Sequence, residues 1–153
     1  MTRWTIGELS IEGLIDAGDL QHLVGGAAQG EPWLAKAATT LSSARRLAND
    51  DPASAYVLAY DAARQACVGV LAQQGLRPTT SGGHYAVERA VTAQFRDAFA
   101  VFGALRRRRN RVEYPTQLDE VTVPEVEEAI GAAAMIVEKA AELLPNLGLF
   151  GVN

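Results

Sequence analysis

Hydrophobic residues recur along most of the chain at intervals of three and four, which is the repeat expected of helices with about 3.6 residues per turn. Alternation of apolar and polar residues, typical of a half-buried strand, does not extend over any segment of useful length. Helix-start and helix-stop signals divide the pattern into separate elements. The sequence therefore predicts an all-α fold, an antiparallel bundle of about five to six helices without an internal repeat.

The N-terminal part of the chain predicts two helices joined by a polar connection. Thr5 and Glu8 have the spacing of a capping box for a short first helix. The glycines and polar residues of the next segment, GDLQHLVGGAAQG, indicate a loop or a poorly packed connection. Pro32 is well placed in the first turn of a second helix, which is expected to run to Asn49.

A third helix is expected from Ala53 to about Gln74, at the centre of the bundle because small apolar residues occur on all of its faces. Asp51 is the expected N-terminal cap, with a proline in the first turn, and Gly75 is the expected C-terminal cap. The apolar stripe of this helix comprises Tyr56, Tyr60, Ala63, Cys67, Val70 and Leu71. On this stripe, Cys67 is interpreted as a small buried hydrophobic residue and not as a nucleophile.

A longer helical pattern begins at His84, after the loop RPTTSGG, and continues beyond Phe102. A break is expected near Thr92. The helix should end about Tyr114, because a proline follows it and disfavours helical backbone in the preceding residue.

The last helix is predicted from a second capping box, Thr122 with Glu125, and from Pro124 in the first turn. Its apolar face comprises Val126, Ile130, Ala133, Val137, Ala140 and Leu144. Pro145 is expected to stop it.

Length and composition fit one folded domain. The chain has 153 residues, of which 48% are hydrophobic and 21% are charged, a composition far from that of disordered chains. We therefore expect a single domain over residues 1–153, with its core in residues 32–145 and a short N-terminal helix and loop in residues 1–30.

The sequence contains no recognisable targeting segment or metal-binding motif. No apolar run approaches the ~20 residues that cross a bilayer, and the first residues lack the apolar stretch of a secretory signal. These features predict a cytoplasmic protein without a membrane partner. Cys67, His22 and His84 form no zinc pattern, so we expect neither a metal site nor a cofactor.

Charge is distributed unevenly along the chain. Five arginines lie within the six positions from Arg106 to Arg111, whereas the stretch from Glu113 to Glu142 carries eight acidic residues and one lysine. The net charge of -4 argues against a general nucleic-acid coat but is compatible with a local basic patch. The sequence leaves open whether the acidic last helix neutralises the arginines.

Two of these arginines are predicted on the apolar side of their helix. At about 100° per residue from Phe95, Arg106 and Arg109 fall on the same side as Phe99 and Phe102. A buried arginine is costly unless it meets a partner, a ligand or a subunit interface. Arg109 therefore either reaches solvent or pairs with a C-terminal acid, or it binds a phosphate, which a guanidinium matches bidentately. The aromatic stripe also predicts dimerisation through this helix.

The segment YVLAYDAARQACVGVLAQQGLRPTTSGGHYAV, followed by FGALRRRRNRVEYP, resembles the HEPN superfamily (higher eukaryotes and prokaryotes nucleotide-binding domains), in particular its actinobacterial branch. The resemblance covers roughly Ser54 to Pro115. It implies a small helical bundle of the kind found in toxin–antitoxin and defence systems. It also implies a homodimer in which the arginine and histidine of an R-x4-6-H motif converge with those of the second copy and cleave RNA without a metal.

The motif of that family is degenerate in this chain. It aligns from Arg109 and Asn110 to Tyr114, which stands where the family has histidine. A histidine with a pKa of about 6.5 exchanges protons readily at neutral pH, whereas a tyrosine with a pKa of about 10 does not. Arg109 and Tyr114 are thus catalytic candidates only if the protein is active, with Glu113 or His84 as alternative bases.

The favoured hypothesis is binding of RNA or of a nucleotide-bearing partner through Arg106, Arg109 and Asn110, without catalysis. His84 is either a further binding residue or a simple contact of its loop. Two alternatives remain: a divergent metal-independent endoribonuclease of toxin type, and a protein-interaction partner of a nucleotidyltransferase or an antitoxin. Asp61 and Arg64, three positions apart, either pair within their helix or orient Arg109 across the bundle.

Overall fold

The structure is a computed structural model that describes residues 3–23, 28–113 and 120–150. In these ranges the α-helices are α1 (Glu8–Asp16), α2 (Glu31–Leu47), α3 (Pro52–Gln73), α4 (Gly83–Phe95), α5 (Ala100–Glu113) and α6 (Val123–Leu143). Two short strands, β1 (Leu20–His22) and β2 (Leu76–Pro78), and two 3-10 helices, Arg96–Phe99 and Leu144–Asn146, complete the fold. The prediction of an all-α bundle is confirmed. No helix in the described ranges is both long enough and apolar enough to cross a membrane.

The central position predicted for α3 is confirmed, since it packs against α2, α4, α5 and α6. Its N-terminus is capped by Asp51, whose carboxylate accepts a hydrogen bond from the backbone N–H of Ser54 at 3.1 Å. Gly75 follows the helix with φ of 79°, a left-handed conformation that favours glycine. Cys67 is fully buried, and burial raises the pKa of its thiol. The cysteine is therefore part of the core.

The start of α2 lies directly on α3. The backbone N–H of Gly30 donates to Oε1 of Gln73 at 2.9 Å, and a Cβ built on Gly30 would collide with the carbonyl oxygen of Gly69. A Cβ on Gly69 would in turn lie 3.0 Å from the Cβ of Trp33. The two helices approach this closely because both positions lack a side chain.

The two strands correct the expectation that both segments are plain loops. β1 and β2 pair antiparallel, with Gln21 opposite Arg77 at the centre of the ladder. Strands of three residues are too short to show an alternating pattern, so the sequence could not reveal them. Thr79, after β2, donates through its hydroxyl to the carbonyl of Gly18 at 2.6 Å. This connection attaches the loop before α4 to the turn after α1.

The break in the long helical pattern lies four residues later than predicted. α4 ends at Phe95, and the break is a 3-10 helix that begins at Arg96 rather than near Thr92. Arg96 has φ of 44°, the left-handed region that non-glycine residues rarely adopt. Trp4 packs against Phe95 at this point, with ring centroids 6.2 Å apart. α4 and α5 are therefore separate helices, and each packs on α3 in its own right.

The capping box predicted for the first helix is wrong, and the box predicted for the last helix is confirmed in part. α1 begins after Gly7, and the backbone N–H of Glu8 bonds to the backbone carbonyl of Thr5, not to its hydroxyl. At α6, the hydroxyl of Thr122 accepts from the backbone N–H of Glu125 at 3.3 Å. The first box fails because Gly7 lies against the backbone of α4, and this packing sets the entry of α1.

The phenylalanine stripe belongs to the core of its own chain. Phe99 and Phe102 are fully buried, and Phe95 is half-buried against Trp4 and Phe99. These rings therefore pack inside the chain to which they belong. The aromatic side of α5 thus packs on α3, and dimerisation through this helix stays a prediction.

We expect Gly30→Ala to destabilise the fold by about 1–3 kcal/mol, because the new methyl group overpacks the contact between α2 and α3. The measurement is the free energy of unfolding from urea denaturation, compared with the wild type.

Gly131→Ala is the matched control, since a Cβ on this residue of α6 would meet nothing within 4 Å. Replacing a glycine inside a helix by alanine should stabilise the protein by about 0.5–1 kcal/mol. Equal effects of the two substitutions would contradict the close approach at Gly30.

Candidate functional site

Side chains from three helices converge around Tyr60 of the central helix. We call this set the cationic cluster: Tyr60 and Arg64 of α3, His84 of α4, and Arg106 and Arg109 of α5. Each of the four basic side chains is only partly exposed, and Tyr60 is fully buried. The cluster is therefore built into the packing of the helices and is not a loose surface patch.

Tyr60 holds the cationic cluster together. Its ring stacks on Phe102 with centroids 5.5 Å apart and planes 8° apart. Its hydroxyl lies 2.9 Å from Nδ1 of His84, and the guanidinium carbon of Arg109 lies 5.7 Å from its ring centroid. The latter distance is typical of a cation–π contact. One buried phenol thus contacts the histidine of α4 and the arginine of α5 at the same time.

Arg109 is held mainly by its own helix. Its Nη2 lies 2.5 Å from Oε2 of Glu113, and Nη1 donates to Oδ1 of Asn110 at 3.4 Å. The side chain is 17% exposed, and its buried Nε finds no hydrogen-bond partner in the described residues. Arg109 therefore pairs with Glu113 and not with an acid of the last helix.

Arg64 and Arg106 each have one acidic neighbour. Nε of Arg64 lies 3.8 Å from Oδ1 of Asp61, the intrahelical pair that the spacing allows. This separation is too long for a hydrogen bond, and Nε of Arg64 is a second buried donor without a partner in the described part of the chain. Nε of Arg106 donates to Oε2 of Glu88 at 2.6 Å. The acids thus hold the arginines in place and leave guanidinium donors unused.

The remaining arginines of the run lie outside the cationic cluster. Nε of Arg108 lies 2.5 Å from Oε1 of Glu125, and its Nη2 donates to Oε2 at 3.0 Å. Arg107 and Arg111 are exposed, as expected. The acidic last helix therefore binds Arg108 through Glu125, while Arg106 and Arg109 use acids of α4 and α5.

The surroundings of His84 favour its neutral form. Burial lowers the pKa of His84, and the charges of Arg64 and Arg109 lower it further, whereas Asp61 acts in the opposite direction. Burial also raises the pKa of Tyr60, so that the phenol stays protonated. At neutral pH the centre of the cluster is an uncharged pair of side chains next to arginines.

The structure brings together three of the residues singled out from the sequence, His84, Arg106 and Arg109. Asn110 is exposed and contacts the cluster through Arg109. Tyr114 lies outside the described residues. In the described ranges, no three His, Cys, Asp or Glu side chains lie so that they could hold a metal ion.

Sequence reasoning missed the part played by Tyr60 and left that of Arg64 open. The sequence places Tyr60 on the apolar stripe of α3, which is correct for its ring and incomplete for its hydroxyl. A tyrosine at a core position signals a buried hydroxyl that needs a partner. That signal identifies a polar contact but not the residue that provides it.

A known protein family matches most of the chain. Residues 31–143 match the family described as HEPN domain, a range that begins with α2, ends with α6 and contains every member of the cationic cluster. No curated protein and no solved structure gave a significant match. The matched range is more than half of the 153 residues, and it coincides with the helices that build the bundle. The chain therefore belongs to the HEPN domain family.

Proposed function

We propose that the cationic cluster binds the phosphate groups of RNA or of a nucleotide. The observation that carries this proposal is the convergence of Arg64 and Arg109 on Tyr60, each with a buried Nε donor that has no acceptor in the described residues. Guanidinium groups bind phosphate oxygens through paired N–H donors. A phosphate supplies the acceptors that the protein itself does not.

The packing of the cluster favours binding in a second way. Arg109 is fixed by Tyr60 and Glu113, and Arg106 is fixed by Glu88. A side chain that is already ordered loses little conformational freedom when a ligand binds, a saving of about 0.5–1.5 kcal/mol for each long side chain. The acidic neighbours therefore act as supports for the arginines and also limit binding to a ligand of high negative charge.

We expect Arg64→Gln and Arg109→Gln each to weaken binding of a single-stranded RNA by about tenfold or more, because each removes a charge-assisted hydrogen bond worth about 1.5–3 kcal/mol. The measurement is fluorescence anisotropy of a labelled oligoribonucleotide, titrated at several salt concentrations. Each substitution that removes one phosphate interaction should reduce the slope of log K against log salt by about 0.7.

Arg45→Gln is the matched control, since Arg45 is an exposed arginine of α2 outside the cluster. It should leave both affinity and salt slope unchanged. If all three variants bind RNA equally well, the cluster is not the binding site. Competition by mononucleotides then separates a nucleotide site from an RNA site.

An endoribonuclease is the second candidate function, and the position of His84 is the observation that favours it. His84 contacts Tyr60, whose ring also contacts Arg109, so a histidine lies near the arginine of the degenerate motif. A histidine beside a phosphate-binding arginine is a typical acid–base group. The toxin–antitoxin context and a nucleotidyltransferase or antitoxin partner stay predictions, as does a role of Tyr114.

The two functions differ in a cleavage assay on a labelled RNA pool in EDTA. We expect the wild type to cleave no more RNA than Arg109→Gln and His84→Ala prepared in the same way, because the lowered pKa of His84 leaves it no imidazolium proton to donate as an acid and its Nδ1 is engaged by Tyr60. Cleavage by the wild type that disappears in both variants would establish the endoribonuclease and would reject binding without catalysis.

The proposal includes a homodimer, formed by the outer face of α5 and α6. Val101 and Ala104 of α5 are exposed there. Met135 of α6, which is 72% exposed, lies about two helical turns after Glu128 on the same side of that helix. Exposed Arg111 and Glu128 line a groove on the same face. Because this face carries both signs of charge beside apolar side chains, its complement is a second copy related by a twofold axis.

Light scattering at tens of micromolar should give twice the 16.3 kDa mass of the chain. Met135→Glu should give a monomer, because it buries a charge in the apolar contact. Leu9→Glu is the control, since Leu9 is 86% exposed on α1, away from this face. A monomeric wild type, or equal dissociation by both substitutions, would reject this interface.

A further inference from the structure

The hydrogen bond between Tyr60 and His84 has one consistent direction. Tyr60 is fully buried, and in the described residues the acceptor available to its O–H is Nδ1 of His84 at 2.9 Å. If the imidazole donated instead, the phenol proton would be buried without an acceptor, which costs about 1–3 kcal/mol. The phenol therefore donates, and Nδ1 accepts.

This direction determines the tautomer of the histidine. A neutral imidazole carries one N–H, so a proton-free Nδ1 leaves the proton on Nε2. We infer that Tyr60 is a positioning residue that holds His84 as the Nε2–H tautomer, so that His84 offers the cationic cluster a neutral N–H donor for a phosphate oxygen. The donor role rests on the proposed function, whereas the tautomer does not.

The neighbouring groups oppose the charged form of His84 from several sides. Arg64 of α3 and Arg106 and Arg109 of α5 all carry positive charge toward it, and Asp61 provides the opposing charge. His84 also lies in the first turn of α4, where the helix dipole disfavours a cation. These features agree with the lowered pKa of His84 and keep the ring neutral while it accepts from Tyr60.

The tautomer has a chemical consequence for the site. A general base needs a free nitrogen lone pair directed at the proton that it removes. In His84 the lone pair of Nδ1 is engaged by Tyr60, and Nε2 already carries a proton. His84 therefore does not replace the base of the R-x4-6-H motif, and it acts beside Arg64 and Arg109 as a donor to the oxyanion.

The first test is ¹⁵N NMR of the imidazole nitrogens of the free protein at about pH 7.5, above the ordinary pKa of histidine. We expect a protonated Nε2 and an unprotonated Nδ1 in His84. His22, the exposed second histidine, is the internal reference and should show the mixture of tautomers usual in water. A protonated Nδ1 in His84 would overturn the inference, and no ligand or variant is needed to decide it.

The second test removes the phenol hydroxyl. Tyr60→Phe keeps a ring that can stack on Phe102 and accept Arg109. It should return His84 to a mixture of tautomers and weaken RNA binding by about threefold to tenfold, the worth of one hydrogen bond. Tyr85→Phe makes the same change at an exposed tyrosine of α4 and should alter neither the tautomer of His84 nor RNA binding. An unchanged tautomer in Tyr60→Phe would show that Tyr60 does not position the ring.

The third test separates a donor from a base. His84→Gln retains an N–H donor near the position of Nε2 but has no basic nitrogen, whereas His84→Ala has neither. We expect the glutamine variant to bind RNA within about threefold of the wild type and the alanine variant to lose about tenfold. Equal losses in the two variants would reject the donor role. If the wild type binds no RNA at all but shows the Nε2–H tautomer, the proposed function fails and the positioning by Tyr60 stands.

Discussion

The stacking of Tyr60 on Phe102, at 5.5 Å between ring centroids, joins the central helix α3 to α5, and the hydroxyl of the same tyrosine joins α3 to His84 of α4. Two side chains of the site contact this ring. Arg109 lies against its face, and His84 is bonded to its edge. A tyrosine serves both purposes because its body is apolar and its end is polar. The polar site is therefore an extension of the hydrophobic core.

The loop before α4 also contributes to the site, because it fixes the position of His84. The hydroxyl of Thr79 bonds to the carbonyl of Gly18, and a side chain at Gly82 would collide with the backbone of Asp19. These contacts fix the start of α4, and with it the position of His84. The turn after α1 and the loop before α4 show no regular pattern in the sequence, and together they place His84 near Arg109 of α5.

Local signals made the helices predictable, and long-range packing explains what was missed. Asp51 and Thr122 cap their helices as their sequence context indicates, because a cap depends on residues only three positions away. The spacing also placed Arg106 and Arg109 on the buried side of α5. His84 lies 24 positions after Tyr60 in the sequence and on another helix. The helical repeat of hydrophobic residues therefore does not reveal the contact between them. The failure of the Thr5 cap has a similar origin, since α1 is positioned by its contact with α4.

The break between α4 and α5 has a consequence for how this site could diverge among related chains. His84 and Arg109 lie on opposite sides of the 3-10 helix Arg96–Phe99, so the length of that joint sets their relative orientation. One inserted residue would turn the following helix by about 100° and advance it by about 1.5 Å, which directs Arg109 away from Tyr60 without altering either side chain. The number of residues in the joint is consequently as much a determinant of ligand binding as the identity of the arginine, and a comparison of family members by motif alone would overlook it.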